Sequence, residues 1–254
     1  MARMKRRILV WDLPTRLFHW LLAAGVLGAF AIGKLVDDDQ PAFAWHMLLG
    51  ATAAFLVVLR VIWGLVGSRY ARFGSFAFGP RAILDYFRGL LSKDARSFVG
   101  HNPGSSVAIF AMLLLTVGAA VTGALMGSGG EALEELHEVF ANALIIVAGA
   151  HVAGVLLHTL RHRENLTGSM IIGTKVGDEA DAIRSSHPLV GLGFVALTAL
   201  WAVGLANGYD AQAGTVRLPL LGTTLAVGEG GEGEGTGERE RHERRGEHDD
   251  DDDD

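Results

Sequence analysis

Apolar residues in this chain gather into long blocks rather than alternating. Four runs, Leu17–Val36, Ala44–Val66, Ser105–Met126 and Ala141–Leu160, approach or exceed the length that carries a helix across a bilayer, roughly 20 residues for about 30 Å of hydrocarbon. The amphipathic stretch Glu131–Phe140 extends the last run backwards. A fifth run, Leu189–Ala206, is shorter and richer in glycine, and reads either as a fifth span or as a re-entrant or interfacial segment. No strand-rich region or internal repeat is evident. The expectation is an all-α integral membrane four-helix bundle over residues 1–176, a fifth transmembrane segment within 177–210, and an extramembrane, low-complexity acidic tail over 211–254.

Basic residues alternate sharply between the connecting segments. Met1–Arg16 carries five Lys/Arg, Asp37–Phe43 none, Gly67–Gly104 six (Arg69, Arg72, Arg81, Arg88, Lys93 and Arg96), Gly127–Leu136 none, and Arg161–Ser186 four. Positively charged loops stay on the cytoplasmic side, so the N-terminus is expected in the cytoplasm of a bacterial cell, with a multi-pass chain in its inner membrane. The basic start followed by an apolar run also resembles a secretory signal. Leu17–Val36 is longer than a typical signal core, however, and Lys34 and Asp37–Asp39 follow it in place of a small-residue cleavage site. A retained first span is expected.

Composition sharpens this picture. Half of the residues are hydrophobic and 20% are charged, against about a quarter charged in soluble domains, and the mean hydropathy is +0.30. The formal net charge of −6 is dominated by Gly228–Asp254, which ends in six aspartates and carries a net −9. Such a segment buries too little apolar surface to offset chain entropy and is expected to be disordered. There is no cysteine, which excludes disulfides, iron–sulfur clusters, thiolate haem ligation and covalent haem attachment.

Ten histidines are present, and His19, His46, His137, His151 and His158 fall in or at the ends of spans, where ionisable groups are rare. His137 and His151 are 14 residues apart, which places them near one helix face and about 21 Å apart along the axis. That spacing suits two stacked cofactors rather than one compact metal site. His46 opens the second span as His137 opens the fourth, and His19 shares the inner half of the bilayer with His151. The pairings His46–His137 and His19–His151 follow, and filling both axial positions of an iron suits haem that transfers electrons. His158, seven residues past His151 and almost on the same face, remains an alternative inner ligand on geometry alone. Arg60 lies 14 residues after His46 at inner depth. It needs an anion there, and a haem propionate would supply one, the spans offering no well-placed carboxylate; the rival reading is that it snorkels to the interface. Gly50, Gly118, Gly123, Gly149 and Gly154 leave room for a flat macrocycle or for close helix packing. Trp11, Trp20, Trp45 and Trp63 read as interfacial belt residues.

The run Val10-Trp11-Asp12-Leu13-Pro14-Thr15-Arg16-Leu17-Phe18-His19-Trp20 resembles the opening of the bacterial cytochrome b561 family and of the related cytochrome b subunits of nickel–iron hydrogenases. Leu136-His137-Glu138 through Ala150-His151, then Leu157-His158, resembles that family's fourth helix. Gly100-His101-Asn102-Pro103 and Arg163-Glu164-Asn165-Leu166 look like further marks of the group. The resemblance covers roughly residues 8–176 and implies a four-helix core with two haem b groups, axial ligands at His19, His46, His137 and His151, and His151 rather than His158 as inner ligand. Arg16, Arg60 and His158 complete the candidate cofactor-binding set. It further implies exchange with a quinone or quinol and with a redox protein partner, either a cytochrome c or a peripheral oxidoreductase subunit.

The function expected is a di-haem cytochrome linking the quinone pool to a redox partner in a respiratory chain. Alternatives are a haem-bearing membrane anchor of a larger oxidoreductase such as a hydrogenase, and a metal-ion transporter using histidines and the acidic tail. Transporters usually show internal repeats and broken helices. No nucleophile–base constellation or phosphate loop suggests other chemistry, and no nucleic-acid partner is expected. Removal of Gly228–Asp254 is expected to leave membrane insertion and haem content unchanged, measured by fractionation and by the reduced-minus-oxidised spectrum; a truncated protein without haem would show that the tail takes part in folding.

Overall fold

The structure, a computed structural model, describes residues 5–89 and 98–226. The tail Gly228–Asp254, with His242 and His248, and the basic residues Lys93 and Arg96 lie outside the described residues. Helices dominate: α1 (Leu13–Leu35), α2 (Ala44–Val66), α3 (Pro80–Gly89), α4 (Pro103–Gly129), α5 (Glu131–His162), α6 (Leu166–Ile172) and α7 (Pro188–Asn207). Five of these, all but α3 and α6, are long and apolar enough to cross a membrane. The 20 residues of α7 span about 30 Å, so the fifth run forms one unbroken helix of spanning length rather than a re-entrant turn. It packs on α1 and α2, with Phe55 stacked on Trp201 and Phe194 against Trp63.

The bundle is made of two helical hairpins, α1–α2 and α4–α5, which form the most extensive helix pairings in the molecule. The two outgoing helices start alike. The Asp12 carboxylate accepts from the Thr15 amide at 2.8 Å, and the Asn102 side chain accepts from the Ser105 amide at 2.8 Å. Each cap satisfies an orphan amide of the first turn, and each is followed by a proline in that turn, where the missing N–H costs nothing.

The β1 end, where α1 and α4 begin and α2 and α5 finish, is closed by a clasp. Strand β1 (Arg6–Leu9) pairs antiparallel with β2 (Thr174–Gly177). Val10 and Trp11 donate their amides to the Gly173 carbonyl, at a residue whose φ of 89° suits only glycine. Trp11 Nε1 donates to Ser169 Oγ at 3.1 Å, and Arg16 Nη2 donates to the Ile171 carbonyl. Ile8, Val10, Trp11, Tyr70 and Ile183 form a small core beneath. Asp12 is 1% exposed, and its second oxygen accepts from Trp63 Nε1 at 3.1 Å. Trp11 and Trp63 are therefore buried hydrogen-bonding residues rather than belt residues; Trp20 and Trp45 are the exposed pair.

At the opposite end, residues 211–226 are not featureless. Strands β3 (Tyr209–Asp210), β4 (Thr215–Arg217) and β5 (Thr224–Ala226) form a small antiparallel sheet over the end of α7. Short apolar–polar alternation, with Pro219 and Gly222 turning the chain, outweighs the low complexity of the residues that follow.

Asp12 joins a helix cap, a cross-helix hydrogen bond and a buried charge. Asp12→Ala is expected to lower stability in detergent by about 2–4 kcal/mol, from the lost cap and the orphaned indole. Asp12→Asn, which can still cap and accept, is expected to lose less than half of that by thermal unfolding. Equal losses would mean that the negative charge itself carries the stabilisation.

Candidate haem centre

His46 stands at the start of α2 and His137 in the second turn of α5, both at the end away from β1. Their ring centroids lie 5.9 Å apart with an interplanar angle of 74°. His46 Nδ1 lies 2.8 Å from the Ala29 carbonyl on α1, and His137 Nδ1 lies 2.8 Å from the Ala119 carbonyl on α4. A carbonyl only accepts, so Nδ1 carries the proton on each ring and Nε2 keeps its lone pair. This is the tautomer and second contact that a metal-ligating histidine uses. A metal held at about 2 Å by two imidazole nitrogens separates the ring centroids by about 6 Å, so His46 and His137 are the residues that would hold an iron here.

Glycine completes each seat. A Cβ on Gly33 would stand 2.9 Å from His46 Nδ1, and one on Gly123 would stand 3.2 Å from the His137 ring. Gly33 is one turn beyond Ala29, as Gly123 is one turn beyond Ala119. Gly118 makes room for Phe140, whereas Gly50, Gly149 and Gly154 face open space. The second hairpin thus repeats the first about 90 positions later: Asp12 with Asn102, Thr15 with Ser105, Ala29 with Ala119, Gly33 with Gly123, His46 with His137. Arg60 then falls at the position where α5 carries His151. The sequence shows no such repeat to the eye, because only cap, carbonyl, glycine and ligand positions correspond.

Nearer the β1 end, His19 on α1 and His151 on α5 lie within electrostatic range of each other. His19 Nδ1 is buried without a hydrogen-bond partner, unlike the seated rings of the other pair. His158, one turn from the end of α5, is engaged elsewhere: its Nε2 lies 3.3 Å from Glu164 Oε2, and its ring lies 4.4 Å from that of His162. Arg60 is 2% exposed and does not snorkel. Its guanidinium faces the rings of Phe73, Phe18 and Phe76 at 4.8, 5.7 and 6.0 Å. A carboxylate does lie within its electrostatic reach, namely Asp12, supplied from just outside the first span rather than from within any span. Nη1 of Arg60 has no hydrogen-bond partner. Arg16 serves the clasp to α6, donating to the Ile171 carbonyl.

One residue of this region was visible in sequence only as part of a motif. His101 lies against Trp11 and Phe76, with ring centroids 4.7 and 4.6 Å away, and within electrostatic range of Arg60, His151, Lys175 and His19. Burial first, and then the Arg60 charge, hold its imidazole neutral with a pKa down to about 3. It immediately precedes the Asn102 cap, which was the available signal. Among the described residues, no three His, Asp or Glu side chains converge as a metal site.

A cavity of about 970 Å³ opens beside His151 between α3, α4 and α5. Its wall is mostly apolar, with Asp85, Tyr86, Asn102, Ser105, His158, Arg161 and His162 as polar members besides His151; His19 is not part of it.

Comparison with known proteins gives this geometry a lineage. Residues 10–173 match the family described as prokaryotic cytochrome b561. The chain is 22% identical over 213 residues to a protein of Bradyrhizobium diazoefficiens named "Probable Ni/Fe-hydrogenase B-type cytochrome subunit", covering 66% of this chain and 85% of that one. A protein of the same name from Rhodobacter capsulatus is 22% identical over 216 residues, covering 67% and 82%. A protein of Escherichia coli K12 named "Probable Ni/Fe-hydrogenase 1 B-type cytochrome subunit" is 24% identical over 137 residues, covering 45% and 57%. No solved structure matches the chain. With its five candidate spans and its seated imidazoles, the chain belongs to the prokaryotic cytochrome b561 family, multi-pass membrane proteins that transfer electrons on haem b.

Proposed function

We propose that this cytochrome holds two haem b groups and passes electrons between a quinone pool and a redox protein partner. The observation that carries the reading is the pair of imidazoles His46 and His137, each fixed by a backbone carbonyl so that its Nε2 is free for iron. His19 and His151 are assigned to the second haem. His151 lies about 21 Å along α5 from His137, while His158 is tied to Glu164. When bound, haem b supplies a one-electron iron couple; the chain supplies ligands, spacing and a low dielectric.

Arg60 is assigned the electrostatic control of the inner haem. Its charge is only partly answered by Asp12, and one guanidinium nitrogen remains without a partner. The cavity beside His151 suits a quinone ring, being apolar, of ligand size and bordered by a few polar groups. The basic β1 end is assigned to the cytoplasm of a bacterial inner membrane by the positive-inside rule. A second reading, favoured by the names of the relatives, makes the same haem protein the membrane anchor of a hydrogenase-like enzyme, which would then be its redox partner. Isolation of the native protein in mild detergent separates the two: a stoichiometric peripheral oxidoreductase supports the anchor, and an isolated cytochrome reduced by quinol supports the free carrier.

Pyridine haemochrome analysis is expected to give two haems per chain. Replacing His46 or His137 by Ala should remove only the haem away from β1, and replacing His19 or His151 only the other. Four single variants that each kept both haems would overturn the assignment. Gly33→Ala places a methyl group against the His46 ring and is expected to lower retention of the same haem as His46→Ala, read from haem per chain. Arg60→Gln should lower the midpoint of the inner haem, since a nearby cation favours the added electron, and leave the other unmoved in potentiometric titration. An unmoved inner midpoint would assign Arg60 to packing alone.

A further inference from the structure

The cavity beside His151 has a polar exit that neither haem pair uses. His158 lines the cavity wall and its Nε2 meets Glu164 Oε2 at 3.3 Å. Glu164 is held from its other side by Lys175 Nζ at 3.0 Å, a side chain only 4% exposed that also donates to the Phe98 carbonyl at 3.2 Å. The next turn of α5 brings His162, exposed at the surface, to 4.4 Å from the His158 ring. The charged and titratable groups around His158 are therefore Arg161 and His162 on its own helix, Glu164 in the following turn, Lys175 on β2, and Asp85 and Tyr86 of α3 across the cavity. A carboxylate pinned by a shielded lysine orients the imidazole and spares it the cost of a free, mobile partner. An imidazole between a cavity and a solvent-exposed second imidazole is placed to carry protons, because its ordinary pKa lies near neutrality.

We propose that His158, positioned by Glu164, is the proton donor and acceptor for a quinone bound in the cavity, with His162 connecting it to the aqueous phase. The proposal rests on the quinone reading above and deepens it. A quinone becomes a quinol by taking two electrons and two protons. In that direction, the electrons arrive by way of the His19–His151 site, each C=O becomes C–O–H, and each proton leaves the His158 imidazolium, which is recharged from solvent through His162. Quinol oxidation runs the same balance backwards, with two protons released by the same route. Glu164 is a positioning residue here, since it reaches the cavity through His158.

The test uses the intact, haem-loaded protein in detergent or vesicles, with duroquinol as reductant and haem reduction followed in stopped flow. His158→Gln can keep the contact to Glu164 but cannot titrate. It is expected to slow reduction at saturating duroquinol about a hundred-fold, within the range of general acid–base catalysis, with the half-saturating duroquinol concentration, haem content and both midpoints unchanged. Glu164→Gln is expected to slow it less and to shift the pH profile of the rate. Parental rates in His158→Gln would overturn the proposal. So would a loss confined to the half-saturating concentration, which would make His158 a binding residue, or a change in haem content, which would make it a ligand. If the parent protein itself is not reduced by duroquinol while dithionite reduces both haems, the quinone reading fails, and this proposal with it.

Discussion

Two backbone carbonyls hold the rest of this structure to its task. An imidazole in a membrane can point either nitrogen at a metal, and a freely rotating ring would bind weakly. The carbonyls of Ala29 and Ala119 remove that freedom by demanding the Nδ1 proton, which leaves Nε2 as the only lone pair. The acceptor must lie on the neighbouring helix at the right height, so the register of α1 against α2 and of α4 against α5 is set by it. Gly33 and Gly123 follow from the same demand, since a side chain at either position would push the ring off its acceptor.

The β1 end serves that register. A helix hairpin in lipid gains little from apolar contact, because the lipid is as apolar as the side chains. Hydrogen bonds and buried polar contacts therefore set how α1 sits. Asp12 caps α1 and accepts from Trp63 on α2, and Trp11 and Arg16 tie the same helix start to α6. The opening motif thus has two roles in eleven residues: it contains His19, and it fixes the helix that carries both His19 and the Ala29 carbonyl.

Use of one hairpin twice explains why the two sites differ. Where the second hairpin carries His151, the first carries Arg60. The inner pair is accordingly drawn from α1 and α5 rather than from α2 and α5, and a cation stands at the matching place. Exchange of one imidazole for one guanidinium makes the two depths of the bundle electrostatically unequal. The cavity lies beside His151, with His158 and His162 on its wall, and not beside His46 or His137.

Properties carried by a single helix were legible in the sequence. The lengths of the apolar runs predicted the spans. The 14-residue spacing of His137 and His151 predicted two imidazoles at different depths on one helix, because rise and turn per residue are fixed by the backbone. The pairing of His46 with His137 was also legible, since the loop charges and helix direction settle which ends meet. Contacts between elements were not. Asp12 lies just outside the first span and comes within electrostatic range of Arg60 only when α1 packs on α2. Trp11 and Trp63 carry the same amphipathic side chain as Trp20 and Trp45, and only packing decides which are buried. His101, the carbonyls that seat the imidazoles, and the Lys175–Glu164–His158 chain join residues far apart in sequence or rest on main-chain atoms that every residue possesses. No local pattern marks such partners; the tertiary structure selects them, because a hydrogen bond needs two groups in contact and the sequence specifies each alone.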